Sequence, residues 1–251
     1  MAVHFEKIVC QKPKNENNID REYLIVKATF KNNDQMLEKL KNRAWNLAKQ
    51  VNPHKANDST NTRDKENLIR DAMGGVLSET AWYHYINLVF GENTVSFTEM
   101  TDTSAQIDLM LNNGKTIEIR SSFPRNGVKF ALCNEHYNFR NICKYSNLYK
   151  PSEIDKDFFG CVLFQTSKAK ILDPNSDIVL YLIGGSTKEM MRDDQIAYED
   201  DLVAEDDITE TKTKYRVIDL KDALDMDGFN QYMIDLGYTP QIELLQEVPC
   251  L

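Results

Sequence analysis

Residues Ala105 to Phe123, AQIDLMLNNGKTIEIRSSF, leave room for little but a β-hairpin with one charged face. Ile107, Leu109 and Leu111 alternate with Gln106, Asp108 and Met110. Ile117 and Ile119 alternate with Thr116, Glu118 and Arg120. Apolar residues at a spacing of two mark half-buried strands, and Asn112-Asn113-Gly114 between them is a turn. A two-residue Asn113-Gly114 loop would set Leu109 opposite Glu118 and Asp108 opposite Ile119, mixing charged and apolar side chains on each face. A three-residue loop with Gly114 in the left-handed region sets Leu109 opposite Ile117, Ile107 opposite Ile119 and Asp108 opposite Glu118. Only the second register keeps the faces consistent. Opposed residues hold their Cβ atoms about 5 Å apart, and two carboxylates so placed repel unless a cation or a proton lies between them. The hairpin reads as half of a divalent-metal site.

The elements before the hairpin are predicted from periodicity. Residues 1–33 contain one or two strands (YLIV and ATF), and Gln35 to Val51 follows the helical period from a cap at Asn33 or Asp34. A second helix runs from Arg63 to Leu88, with Thr62 and Glu66 in a capping pattern. Glu79 lies on the apolar stripe of that helix with Ala72, Gly75, Trp82 and Ile86. A carboxylate there needs a partner, either a metal or a Lys or Arg at the edge of the stripe. Gly75, one turn earlier, leaves room for a strand to approach. Thr94 to Glu99 is a short strand.

Beyond the hairpin, Pro124 to Pro151 reads as a long polar, aromatic loop in which Lys129 to Leu132 adds a strand. The run FFGCVLFQ, ending at Gln165, is apolar throughout, as in a central strand covered on both faces. Ile178 to Ile183 is another strand, ending at Gly184-Gly185, and Thr187 to Met191 starts a short helix. Asp193 to Glu210 carries nine acids and no base and reads as an exposed loop. Tyr215 to Ile218 is a last strand, and one or two helices from Asp219 close at Gly237. The expected organisation is one domain over 1–251. Residues 1–70 form an N-terminal extension able to contact DNA, 71–191 a core, and 192–251 an acidic loop with a closing strand and helix.

Charge is unevenly spread. The net is −9, yet residues 1–150 carry +4 and residues 151–251 carry −13. From Arg120 to Lys150 six bases face one acid, Glu135. A basic surface beside an acidic hairpin can hold a phosphate backbone. No run reaches the roughly 20 apolar residues of a membrane span. The N-terminus lacks the apolar core of a signal peptide, and five cysteines without CxxC spacing suit reduced thiols, so a cytoplasmic protein is expected.

The order is a helix with Glu79, a strand, a strand with Asp108, a strand with Glu118-Ile119-Arg120, and an apolar strand ending in Gln165. It resembles the PD-(D/E)XK nuclease superfamily, of the type II restriction-endonuclease kind, over roughly Gly75 to Gln165. The resemblance implies an α/β fold with a mixed central sheet flanked by helices. It implies a Mg²⁺-dependent endodeoxyribonuclease, Mn²⁺ being able to substitute, that hydrolyses phosphodiester bonds in duplex DNA as a sequence-specific homodimer. Asp108 and Glu118 would hold the metal, with the carbonyl of Ile119 as a further ligand and Glu79 serving from the helix. Gln165 would orient phosphate or water, and Arg125, Lys129, Arg140 and Lys144 would bind DNA.

The chain departs from the family pattern at two places. Ile107 stands where the family has Pro, and Arg120 where it has Lys. An arginine stays protonated and is no general base, but it can clamp phosphate. Lys115 or Lys129 could instead reach in. The alternatives are a catalytically inactive nuclease-fold protein that binds DNA or supports assembly, and a structure-specific nuclease of the junction type. A ββα-metal site at His136 with Asn138 and Asn141 lacks ligands at fitting positions. A zinc site of Cys133, His136 and Cys143 lacks a fourth ligand, and His84 is read as a helix-surface or packing residue.

Overall fold

The computed structural model describes residues 3–11, 22–32, 35–50, 64–98, 107–133, 139–145, 154–202, 213–242 and 247–249. Its strands are β1 (Val3–Gln11), β2 (Glu22–Phe30), β3 (Val95–Phe97), β4 (Leu109–Leu111), β5 (Thr116–Ser122), β6 (Arg140–Tyr145), β7 (Phe158–Phe164), β8 (Ile178–Thr187), β9 (Ala197–Leu202), β10 (Thr213–Asp219) and β11 (Glu247–Pro249). The helices are α1 (Gln35–Gln50), α2 (Lys65–Phe90), α3 (Val128–Cys133), α4 (Lys188–Arg192) and α5 (Met226–Asp235). Eight strands form one mixed sheet in the order β11-β1-β2-β8-β7-β5-β4-β3. Within it β5 and β7 run parallel, whereas β3-β4, β4-β5 and β7-β8 are antiparallel. A smaller antiparallel sheet has the order β6-β10-β9.

The main core lies between one face of the large sheet and the helices α1, α2 and α5. Helix α2 is apolar on most sides, as suits an inner helix. Its first turn is capped by Asp64, which accepts the Asn67 N–H at 2.7 Å. Trp82 is fully buried and meets Phe229 edge-to-face at 4.7 Å. It lies on Gly160, where a Cβ would stand 2.9 Å from Ile119 Cδ1 and 3.0 Å from the indole. The missing side chain on β7 is what lets the helix seat against β5 and β7. On the other face, α3 covers part of the sheet, and the small sheet and α4 cover Phe159 with Cys143, Met191, Ala197 and Ile218.

Several sequence expectations are corrected here. Residues 129–132 are helical, because Gly127 turns the chain at φ 85° and Val128, Ala131 and Leu132 then bury at helical spacing. Part of the expected acidic loop is strand β9. Two of its acids are matched across the small sheet, Asp200 by Arg140 at 2.9 Å and Glu199 by Lys214 at 3.5 Å. Strand β8 does not end at Gly184-Gly185 but bends there and runs on to Thr187. The N-terminal stretch is not peripheral: β1 and β2 are strands of the main sheet, and α1 packs on α2. The cap for α2 is Asp64. The Asn33, Asp34 and Thr62 capping positions and His136 lie outside the described residues.

Candidate active site

The hairpin turns as its sequence requires. The Leu111 N–H donates to the Lys115 carbonyl at 2.8 Å, and Gly114 sits at φ 87°. Leu109 opposes Ile117. The ladder then stops one residue short of the expected Asp108–Glu118 pair. Asp108 leaves the strand, and its Oδ2 accepts the Ile119 N–H at 2.7 Å, taking the place a backbone carbonyl would have filled. The N–H and C=O of one residue in an extended strand point to the same edge. The Ile119 carbonyl therefore faces the Asp108 side, past the last paired residues.

Ile117 and Ile119 pack into the core under α2, so Glu118 and Arg120 face the opposite layer. Glu118 is 4% exposed. Its Oε1 pairs with Arg120 Nη1 at 3.1 Å, and its Oε2 lies 3.9 Å from the Nζ of Lys156, which is 1% exposed. That Oε2 has no hydrogen-bond partner. Glu79, from α2, pairs through Oε2 with Arg43 Nη2 of α1 at 2.9 Å. Gly75 keeps the space one turn earlier open; a Cβ there would stand 4.0 Å from Glu79 Oε1. Arg43 also lies over Phe97 at 5.0 Å, and Phe97 stacks on Tyr83 at 4.5 Å.

The three carboxylates act on one another. Burial, then the negative charges of Glu118 and Glu79, push Asp108 well above the usual carboxylate range, against the Ile119 N–H and Arg120. Burial raises Glu79 to about 6 despite Arg43, and Glu118 adds to the rise. No family model, curated protein or solved structure matches the chain. The chemistry of the site must be judged from its own geometry.

The donors suit a hard cation. Glu118 Oε2, the second oxygen of Asp108 and the Ile119 carbonyl would offer a metal oxygen donors alone, and Mg²⁺ is commonly held by one or two carboxylates with phosphate and water completing the shell. Among the described residues, no three Asp, Glu, His or Cys side chains group as metal ligands. Glu79 therefore sits in the same field, held by Arg43, rather than in a ligand cluster with Asp108 and Glu118.

The remaining expected residues scatter. Arg140 is held by Asp200 and Tyr198, and Lys144 is tied to Asp155 at 2.7 Å. Neither is the open phosphate contact the sequence suggested, because acids from the negative half fold back onto them. Arg125 and Lys129 are exposed and make no ion pair among the described residues, and Gln165 is exposed just beyond β7. Lys115 binds Asp157 at 2.9 Å and does not reach in. Two cations were missed, Arg43 and Lys156. Only proximity in the fold reveals them, since each is over 35 residues from its acid in sequence.

A pH prediction follows. Asp108 and Glu79 keep their protons longer in the folded chain than in the unfolded one. Stability therefore falls as pH rises from the ordinary carboxylate range through about 6. A divalent cation bound to the ionised acids opposes that fall, so Mg²⁺ is expected to raise Tm more at pH 8 than at pH 5. Thermal scans at the two pH values, with Mg²⁺ and with EDTA, check this; equal Mg²⁺ shifts would contradict it.

Proposed function

We propose that the chain is a Mg²⁺-dependent endonuclease acting on duplex DNA, of the restriction type. The observation that carries this is the placement of Asp108 within the electrostatic reach of Glu118 at the point where β4 and β5 part, with one buried Glu118 oxygen left without a hydrogen bond. The succession of α2, β3, β4, β5 and β7, realised as four neighbouring strands of one mixed sheet under one helix, supports it. When bound, Mg²⁺ supplies neutralisation of charge on the phosphate and activation of water. Asp108 and Glu118 would hold it, with the Ile119 N–H fixing Asp108 and Arg120 fixing Glu118. A water then forms the new bond to phosphorus as the bond to the departing sugar oxygen breaks, and that oxygen takes up the proton. Arg120 is committed to Glu118 and serves to orient it rather than to clamp phosphate. Arg125 and Lys129 are the exposed cations offered to the backbone. Cutting both strands requires two sites, supplied by a C2 homodimer.

One observation favours a second reading, an inactive DNA-binding or assembly protein. Glu118 already lies between two cations, the half-buried Arg120 and the buried Lys156, as a purely structural ion network would place it. Digestion of unmethylated plasmid, phage and branched DNA, with Mg²⁺ or EDTA, separates the possibilities. Mg²⁺-dependent cutting of duplex at discrete positions is expected. Cutting of branched DNA alone would make it a junction-type enzyme, and binding without cutting would favour the inactive protein.

A further inference from the structure

We propose that Lys156 is a positioning residue of this site, sharing with Glu118 the oxygen of the attacking water; this rests on the nuclease function proposed above. Lysines are seldom fully buried. This one stands just before β7, the parallel neighbour of β5, and is 1% exposed. Its Nζ is 3.9 Å from Glu118 Oε2, too far for a hydrogen bond. Two atoms so separated can each sit about 2.8 Å from one common oxygen. A water there accepts from the ammonium and donates to the carboxylate, which gives the unsatisfied Oε2 its missing partner. Arg120 occupies the other carboxylate oxygen at 3.1 Å and leaves this one open. The two cations are thus divided. Arg120 fixes Glu118, and Lys156 faces the place where an oxygen ligand would lie.

A counter-ion would need only to neutralise Glu118, and Lys156→Met tests the difference. The substitution keeps the length of the chain and removes the charge and the N–H donors. Three quantities are to be measured: Tm, duplex binding in Ca²⁺, and the single-turnover cleavage rate at saturating Mg²⁺. The expected result is Ca²⁺-supported binding within about threefold of wild type and a cleavage rate at least 100-fold lower. A rate within threefold of wild type overturns the proposal, as does a loss of rate matched by loss of Ca²⁺-supported binding.

Mn²⁺ binding, followed by electron paramagnetic resonance, gives a readout apart from cleavage. Removing the ammonium beside Oε2 should tighten Mn²⁺ at least fivefold, whereas Glu118→Gln should weaken it. If wild type binds Mn²⁺ with that pattern but cuts no DNA, the nuclease function fails and the attacking water with it, and only the position of Lys156 beside the bound ion stands. If wild type cuts DNA and Lys156→Met changes neither Mn²⁺ affinity nor rate, the reverse holds. Absence of both cutting and Mn²⁺ binding in wild type overturns both.

Discussion

Glu118→Ala is expected to lower Mg²⁺-dependent cleavage by about 10²–10³-fold or more, the scale on which one preorganised charged group at a reacting centre acts. It is also expected to destabilise the fold by about 3–5 kcal/mol, because removing one partner of a buried ion set leaves the others uncompensated. Both costs have one origin: Glu118 is the carboxylate shared by Arg120 and Lys156, and its open oxygen is the one proposed to hold a metal. Glu118→Gln separates them. The amide keeps the shape, so urea unfolding should show a smaller loss, while cleavage should fall as far as for alanine. A glutamine variant that cuts like wild type would remove Glu118 from the site.

Gly184→Ala is expected to cost about 3 kcal/mol or more, the sum of a strained backbone and an overpacked contact. Gly184 sits at φ 85°, and a Cβ there would stand 2.1 Å from the Leu224 carbonyl oxygen. The approach is fixed on every side. Gly185 and Leu224 exchange backbone hydrogen bonds at 2.8 Å each way, and Tyr23 donates its hydroxyl to Ile183 O at 2.8 Å. Asp225 accepts the Leu24 N–H at 3.0 Å and, through its other oxygen, caps α5. Gly114→Ala is the control. Its φ is 87°, but a Cβ there meets nothing within 4 Å, so about 1–2 kcal/mol is expected. Equal shifts of the urea midpoint would mean that the contact with Leu224 does not matter.

The local parts of this molecule were legible in its sequence. The loop length and left-handed Gly114 followed from the need to keep Leu109 and Ile117 on one face, and Glu79 stood out as a carboxylate on an apolar stripe. What escaped notice was set by distant pairing. Strand β9 carries three acids in a row, Glu199 to Asp201, and it becomes a strand because β10 supplies its partner. Lys156, within Glu-Ile-Asp-Lys-Asp, has the local look of a solvated charge; it is buried only because β7 is laid beside β5. Arg43 belongs to α1, and nothing in its own helix points to Glu79, 36 residues away. The Asp108–Glu118 pair was anticipated as direct opposition across a ladder. The side chain of Asp108 instead competes with the backbone for the Ile119 N–H, and that opens the hairpin at Asp108, which still feels the charge of Glu118.

Among the described residues no helix is long and apolar enough to cross a membrane.

The decisive measurement is digestion of unmethylated phage DNA by the wild-type protein and by Asp108→Asn, each with Mg²⁺, alongside duplex binding by both in Ca²⁺. Discrete Mg²⁺-dependent fragments from wild type, and none from an Asp108→Asn protein that still binds the duplex, are the predicted result. Identical fragments from the two proteins, or binding without cutting by wild type on every DNA tried, would contradict it.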